Sequence, residues 1–383
     1  MATFAGAQMN RADDTPRLMP QLDSLRALAV GAVALHHWLP RGFDYPLVSG
    51  VHLFFVLSGF LITGILLDAR RRNDATGTSD LRYTLKAFYL RRFLRIAPAY
   101  VLALIVVAYF NVAGIRNTWM WHAAYLTNFH IFFRNDWIGL IGHFWTLSVE
   151  EQFYVAWPIL VLCLPWRLLP VMFLTVTAGS VVFRLVGEIF FPGRVMWNLL
   201  TPGYLDSFAL GALLAHYRRV PDIVQPAILR WSGTIIVACF AMAVVRKRLP
   251  GWRLVFLDPL LFAVAYACLI NIAARGARGA LGWVLNHPLL RYAGRISYGL
   301  YLAHNFAPLP VGALVAGHPW LLMIPRSQLL LMALWTMLVA MVSWHCFESP
   351  LNGLKKHFPY TRRRVGPTRI EEATSWKSSA REA

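Results

Sequence analysis

The chain is expected to be an all-α polytopic membrane protein, a bundle of about ten transmembrane helices with both termini in the cytoplasm. Three observations lead there. Hydrophobic residues make up 57% of the 383 and charged residues only 14%, with a mean hydropathy of +0.50, which excludes an ordinary soluble domain. Apolar segments of spanning length fall near residues 22–39, 47–68, 96–114, 144–165, 168–191, 200–217, 228–245, 254–273, 292–314 and 326–347. Lys and Arg then set the orientation. With the termini inside, cytoplasmic segments hold about 26 of them and outer segments about 9, as the positive-inside rule requires. That distribution explains the net charge of +19 without a nucleic-acid partner. It divides the chain into a cytoplasmic tail at 1–21, a membrane unit at 22–351 and a basic cytoplasmic tail at 352–383. The first apolar segment follows Arg11 and Arg17 and lacks a small-residue cleavage site, so it reads as a retained helix. Cys163, Cys239, Cys268 and Cys346 stand alone in separate segments, which predicts neither a disulfide framework nor a metal site.

The first segment, QLDSLRALAVGAVALHHWL (21–39), carries Asp23, Arg26, His36 and His37. At about 100° per residue, Asp23, Arg26 and His37 share one face and His36 points aside. Ionisable groups at membrane depth are costly and count as a functional hypothesis. The second segment contains GVHLFFVLSGFLITG (50–64), whose Ser58, Gly59 and Gly64 would let a helix or an extended ligand approach the backbone closely. Residues 69–86 read as a solvated cytoplasmic loop. They lead to LRRFLRIAPAY, where Arg91, Arg92 and Arg95 precede the third span. Arg92 and Arg95 are helical neighbours able to hold a phosphate or pyrophosphate with two guanidinium forks, although anionic lipid headgroups would also suit the cluster.

An aromatic-rich outer loop follows at 116–144, with Trp119, Trp121, Tyr125, Phe129, Phe132, Phe133 and Trp137, suited to an interfacial belt or to stacking on a sugar. In GHFWTLSVEEQFYVAWPI (142–159), His143, Glu150, Tyr154 and Trp157 share a face while Glu151 points about 100° away. Asp206 is the buried-looking acid of the sixth segment, and Asp258 marks the eighth. The ninth, RYAGRISYGLYLAHN, puts Ser297, Tyr301 and His304 on one face and Arg291, Arg295, Tyr298 and Asn305 on another. Counting depth at 1.5 Å per residue places His37, His304 and Glu150 in one outer layer, and Arg26, Arg92, Arg95, Arg291 and Arg295 in a cationic inner layer.

In this order, and spread over about 22–351, LDSLRALAVGAVALHHW, GVHLFFVLSGFLITG, LRRFLRIAPAY, HFWTLSVEEQFYVAWP, GYLDSFALGALLA, GRISYGLYLAH and FESPL resemble the integral membrane acyltransferase family 3. Its members O-acylate surface polysaccharides, lipopolysaccharide, peptidoglycan and related hydroxyl acceptors. The resemblance implies ten helices in the cytoplasmic (inner) membrane and a cytoplasmic acyl-CoA, commonly acetyl-CoA, as donor. The acceptor would be a hydroxyl of a polysaccharide, lipid-linked sugar or lipo-oligosaccharide, with glycan assembly or export proteins as further partners. The family's histidine falls on His37, its Arg-x-x-Arg pair on Arg92 and Arg95, its glutamate on Glu150, and its ninth-helix aromatic and histidine on Tyr301 and His304. Ser24 replaces the more usual Gly, and His52 stands where Asp is common. No segment resembles the secreted esterase-like domain that some members append, so any later transfer step is expected to need another protein or none.

The chemistry expected from these pieces puts the adenosine phosphates of coenzyme A against Arg92, Arg95 and Arg26. The pantetheine arm would pass Ser58 and Gly59 to His37, the general base on the acceptor hydroxyl. Glu150 would orient the imidazole or stabilise its cation. Tyr301, Tyr298 or His304 would donate to the developing oxyanion. An acyl-histidine relay is the covalent alternative. The competing class is a proton- or anion-coupled transporter using the same groups, but the sequence has neither inverted repeats nor paired broken helices.

Overall fold

A computed structural model describes residues 19–39, 49–77, 80–191, 195–219, 225–248, 254–324 and 326–360. Of the expected tails at 1–21 and 352–383, residues 1–18 and 361–383 lie outside the described residues. All regular structure among the described residues is helical: α1 Pro20–Trp38, α2 Gly50–Thr76, α3 Leu81–Tyr109, α4 Trp119–Ala123, α5 Thr127–Arg134, α6 Phe144–Cys163, α7 Leu169–Phe190, α8 Leu205–Tyr217, α9 Gln225–Arg248, α10 Asp258–Ala274, α11 Gly279–Leu285, α12 Pro288–Arg295, α13 Ser297–Ala303, α14 Pro308–Gly317, α15 Ser327–Ser343 and α16 Ser349–Gly353. Four helical stretches, 50–75, 81–109, 166–190 and 327–357, are long and apolar enough to cross a bilayer, or six counting the bent pairs α10/α11 and α13/α14. The protein is thus a multi-pass membrane protein.

α2 is the central helix: 72% of its apolar window is buried, against 17 to 22% for the other three stretches. Glycines allow this. A Cβ on Gly59 would collide with the Phe208 carbonyl of α8, and one on Gly211 with the Val56 carbonyl of α2. The two helices therefore meet backbone to backbone, as small residues permit in membranes. Gly294 of α12 likewise sits on the Asp23 carbonyl of α1. Gln21 fixes the start of α1 to the α10–α11 connection, accepting from Ala277 N at 2.7 Å and donating to Ala277 O at 3.1 Å. Ser24 Oγ donates to the Leu285 carbonyl at 2.7 Å.

The structure corrects three boundaries. Residues 69–76 are not loop: α2 continues past the apolar stretch through RRRNDAT, whose arginines and alanine favour helix, and stops at Gly77 in the left-handed conformation (φ 65°). α3 begins at Leu81, capped by the Asp80 carboxylate accepting from Tyr83 N at 2.9 Å, so residues 81–86 are not loop either, and one helix carries Arg91, Arg92 and Arg95 into the apolar part of the third span. The ninth segment is broken: α12 ends at Arg295, and after a short 3₁₀ turn at His304–Phe306 the chain bends by 50° into α14. Pro308 and Pro310 carry no amide hydrogen to continue the ladder there.

Asp206 is structural. Arg184 of α7 donates to its Oδ2 at 2.6 Å, to the Phe256 carbonyl at 2.7 Å and to Ser180 Oγ at 3.0 Å, and Ser207 N donates to Asp206 Oδ1 at 2.8 Å. Both side chains are almost wholly buried. Asp206→Ala strands the guanidinium, so a loss of about 3 to 5 kcal/mol is expected. A thermal unfolding transition in detergent that stays unchanged would contradict it.

Candidate active site

α1 ends in His36 and His37. His37 Nδ1 lies 2.9 Å from the Val33 carbonyl oxygen and 3.1 Å from Nε2 of His304, with the ring centroids 5.1 Å apart. His304 opens the turn after α13 and is fully buried. Its Nδ1–H donates to the Tyr301 carbonyl at 2.7 Å, and Trp38 Nε1 donates to the His304 carbonyl at 3.0 Å, clamping the end of α1 to this turn. His143, at the N-cap of α6, is the third imidazole, its ring centroid 5.1 Å from that of His304. Its Nδ1 lies 2.8 Å from the Leu140 carbonyl oxygen and 3.3 Å from Asn305 Nδ2. The Tyr301 hydroxyl donates to the His143 carbonyl at 3.0 Å and bonds Thr146 Oγ1. Among the described residues no group of three His, Cys, Asp or Glu side chains could hold a metal ion.

Successive turns of α6 order a second set of groups below the histidines. Thr146 contacts Tyr301, Glu150 accepts from the Ser58 and Tyr154 hydroxyls, and Arg92 lies over the Tyr154 ring at 5.8 Å. These side chains, with Arg26, Arg95 and Tyr298, line one narrow cleft of about 80 Å³. Through Arg92 and Arg95 the cleft adjoins a pocket of about 210 Å³ lined also by Arg72, Arg91 and Lys355. The pocket's carboxylate, Asp68, is paired with Arg219 at 2.7 Å. Arg26 has Asp23 at 3.4 Å, while neither Arg92 nor Arg95 has an ion-pair partner within 4 Å among the described residues.

Of the residues singled out in the sequence, His37, His304 and Tyr301 come together at one end, and Arg26, Ser58, Arg92, Arg95 and Glu150 share the cleft. Four expectations are corrected. Glu150 makes its hydrogen bonds to Ser58 and Tyr154, not to His37; the histidine layer is met by His143, and seven residues of helix put Glu150 about 10 Å further along α6. Gly59 does not line the cleft, because its Cα faces Phe208 in the α2–α8 contact. His304 has both ring nitrogens engaged, so it is not poised to donate to an oxyanion. Arg291 and Arg295 do not join the cationic cleft, and Arg295 is exposed. Glu151 lies on the other side of α6, in a separate cavity of about 660 Å³ shared with Arg92, Tyr154, Tyr125 and Trp119, in keeping with its 100° offset. Lys355 and Arg72 were missed because they sit in segments read as tail and loop; the cationic runs RRR (70–72) and KK (355–356) beside apolar segments were the available signal.

A family model described as an acyltransferase domain matches residues 19–345. The chain is 30% identical over 381 residues to the peptidoglycan O-acetyltransferase OatA of Listeria monocytogenes, an alignment covering 89% of this chain and 57% of that protein. To the putative peptidoglycan O-acetyltransferase YrhL of Bacillus subtilis it is 28% identical over 400 residues, covering 95% and 59%. A putative O-acetyltransferase of Staphylococcus aureus is 33% identical over 165 residues, 39% of this chain and 25% of that one. The chain therefore spans under three-fifths of the length of these relatives. None of the solved structures matches it. Matched from the residue before α1 to the π-helical turn after α15, the chain belongs to the acyltransferase family that this domain defines.

Proposed function

We propose that the protein is an O-acetyltransferase that moves the acetyl group of cytoplasmic acetyl-CoA onto a hydroxyl of a carbohydrate acceptor, and that His37 is the general base. The observation that carries this reading is the narrow cleft that runs from Arg92 and Arg95, which have no ion-pair partner among the described residues, to Thr146 and Tyr301, the residue whose hydroxyl donates to the His143 carbonyl beside the histidines. The phosphates would lie against Arg92, Arg95 and Arg26, with the adenosine end towards Arg72, Arg91 and Lys355. From Tyr154, beneath Arg92, to His143 is eleven residues of α6, about 16 Å. A pantetheine arm has the reach of roughly four residues of extended chain, about 14 Å, which brings the thioester to the level of Thr146 and Tyr301.

In the transfer step the acceptor hydroxyl gives its proton to His37 as its oxygen bonds the thioester carbonyl carbon. Collapse of the tetrahedral adduct breaks the C–S bond, and the leaving sulfur takes the proton back from the imidazolium. The arrangement suits a protein of ten spans with cytoplasmic termini in the cytoplasmic membrane. The guanidinium cleft would then open inward and the histidines lie in the outer half, where a glycan hydroxyl can be presented. Since two of the relatives are named for peptidoglycan, a peptidoglycan-type glycan is the first acceptor to try.

Membranes containing the protein, given acetyl-CoA labelled in the acetyl carbon and isolated cell-wall glycan, are expected to place base-labile label on the glycan. Label that appears equally in membranes lacking the protein would refute the reading.

A further inference from the structure

Resting on the transferase reading, the hydrogen bonds around the cluster carry one step more. A carbonyl oxygen can only accept. His304 Nδ1, 2.7 Å from the Tyr301 carbonyl oxygen, therefore carries that ring's proton and leaves Nε2 as a bare acceptor. His37 Nδ1 lies 2.9 Å from the Val33 carbonyl oxygen and 3.1 Å from that same Nε2. Both neighbours accept, so His37 Nδ1 carries the proton and shares it between them. The lone pair of His37 is consequently on Nε2, the nitrogen that neither neighbour occupies.

We infer that His304 is a positioning residue for the base: its neutral imidazole takes the place held by a carboxylate in the usual acid–histidine pair. It fixes the His37 tautomer with Nε2 free to receive the acceptor's proton, and it accepts a strengthened hydrogen bond when His37 becomes an imidazolium. Its own placement is set from three sides. Tyr301 O holds its Nδ1–H, Trp38 Nε1 holds its carbonyl, and the His143 ring packs edge-on at 5.1 Å. Among the described residues, His36 on the same helix and His304 from the facing turn meet the His37 ring, and His143 and Tyr301 stand behind His304. No carboxylate is needed to explain the orientation of His37, and Glu150 is engaged elsewhere.

The test compares His304→Gln, whose amide oxygen can still accept from His37 Nδ1–H, with His304→Leu, which fills the space without accepting. His304→Leu is expected to lower kcat about 100-fold or more with the KM for acetyl-CoA within about twofold, and His304→Gln to recover most of that loss. Equal kcat in His304→Leu and wild type, or equal loss in both variants, would overturn the assignment. A second readout is independent of activity, so it separates this inference from the transferase reading. In protein labelled with 15N-histidine, the His37 signal, assigned from a His37→Gln sample, should report the Nδ1–H tautomer in wild type and a mixture in His304→Leu. An Nε2–H tautomer in wild type would overturn the inference even if acetyl transfer is confirmed.

Discussion

His37→Ala is expected to lower kcat for acetyl transfer by about 100- to 10,000-fold, the contribution of a positioned general base, while His36→Ala stays within about twofold. The asymmetry follows from one helical step. His37 Nδ1 is held by Val33 O and His304 Nε2, which leaves Nε2 for the acceptor. His36, 100° around α1, meets His37 edge-on at 5.2 Å and lines neither the cleft nor the basic pocket beside it. A substitution there that touches no element of the cleft should cost about 0.5 kcal/mol or less. The KM for acetyl-CoA should hold steady in both variants, because the donor's phosphates would bind at the opposite end of the cleft. The measurement is steady-state transfer from labelled acetyl-CoA in membranes with matched amounts of protein. Retained kcat in His37→Ala would remove the base from the mechanism, and comparable losses in both variants would show that the pair acts through the packing of α1.

What the sequence discloses about this site depends on how each residue acts. His37 and His304 were placed at one height because both lie on helices whose register and direction follow from the apolar pattern, and the structure puts them in contact. Counting from the outer end of its segment puts Glu150 in the same layer. It is His143, buried at the N-cap of α6, that stands in the histidine layer, so Glu150 falls two turns further along the helix. The polar stretch 69–76 looked like loop because apolar periodicity stops there, yet a helix can leave the bilayer and continue in water until a left-handed glycine ends it. Gly59 was ambiguous in principle. A glycine permits close approach by a ligand or by a helix, and only the partner, here Phe208, decides which. Lys355 and Arg72 required tertiary structure, since two segments far apart in sequence meet at Arg91, whose guanidinium donates to the Lys355 carbonyl at 2.7 Å.

Arg95→Ala and Arg92→Ala should each raise the KM for acetyl-CoA about 10- to 150-fold with kcat changed far less. A hydrogen bond to a charged group contributes about 1.5 to 3 kcal/mol, and tenfold corresponds to about 1.4 kcal/mol. Both guanidinium groups line the cleft without an ion-pair partner among the described residues, so their charge is available to an incoming anion. Arg92 also stands over Tyr154, whose hydroxyl donates to Glu150, so its loss should disturb the neighbouring wall more than loss of Arg95. Arg95→Lys should recover only part of the affinity, because an ammonium offers a point charge where a guanidinium offers a planar fork. Acetyl-CoA lacking the 3′-phosphate separates the two cationic regions. If the adenosine end lies towards Arg72, Arg91 and Lys355, that analogue should bind more weakly to wild type but lose little further affinity in Lys355→Ala. In Arg95→Ala its loss should add to that of the substitution, as for sites that share no partner. Unchanged KM in both arginine variants would mean that the cleft is not the donor's route. Its three arginines would then be answering to anionic lipid at the membrane surface, and binding to vesicles of anionic phospholipid would fall in the variants instead.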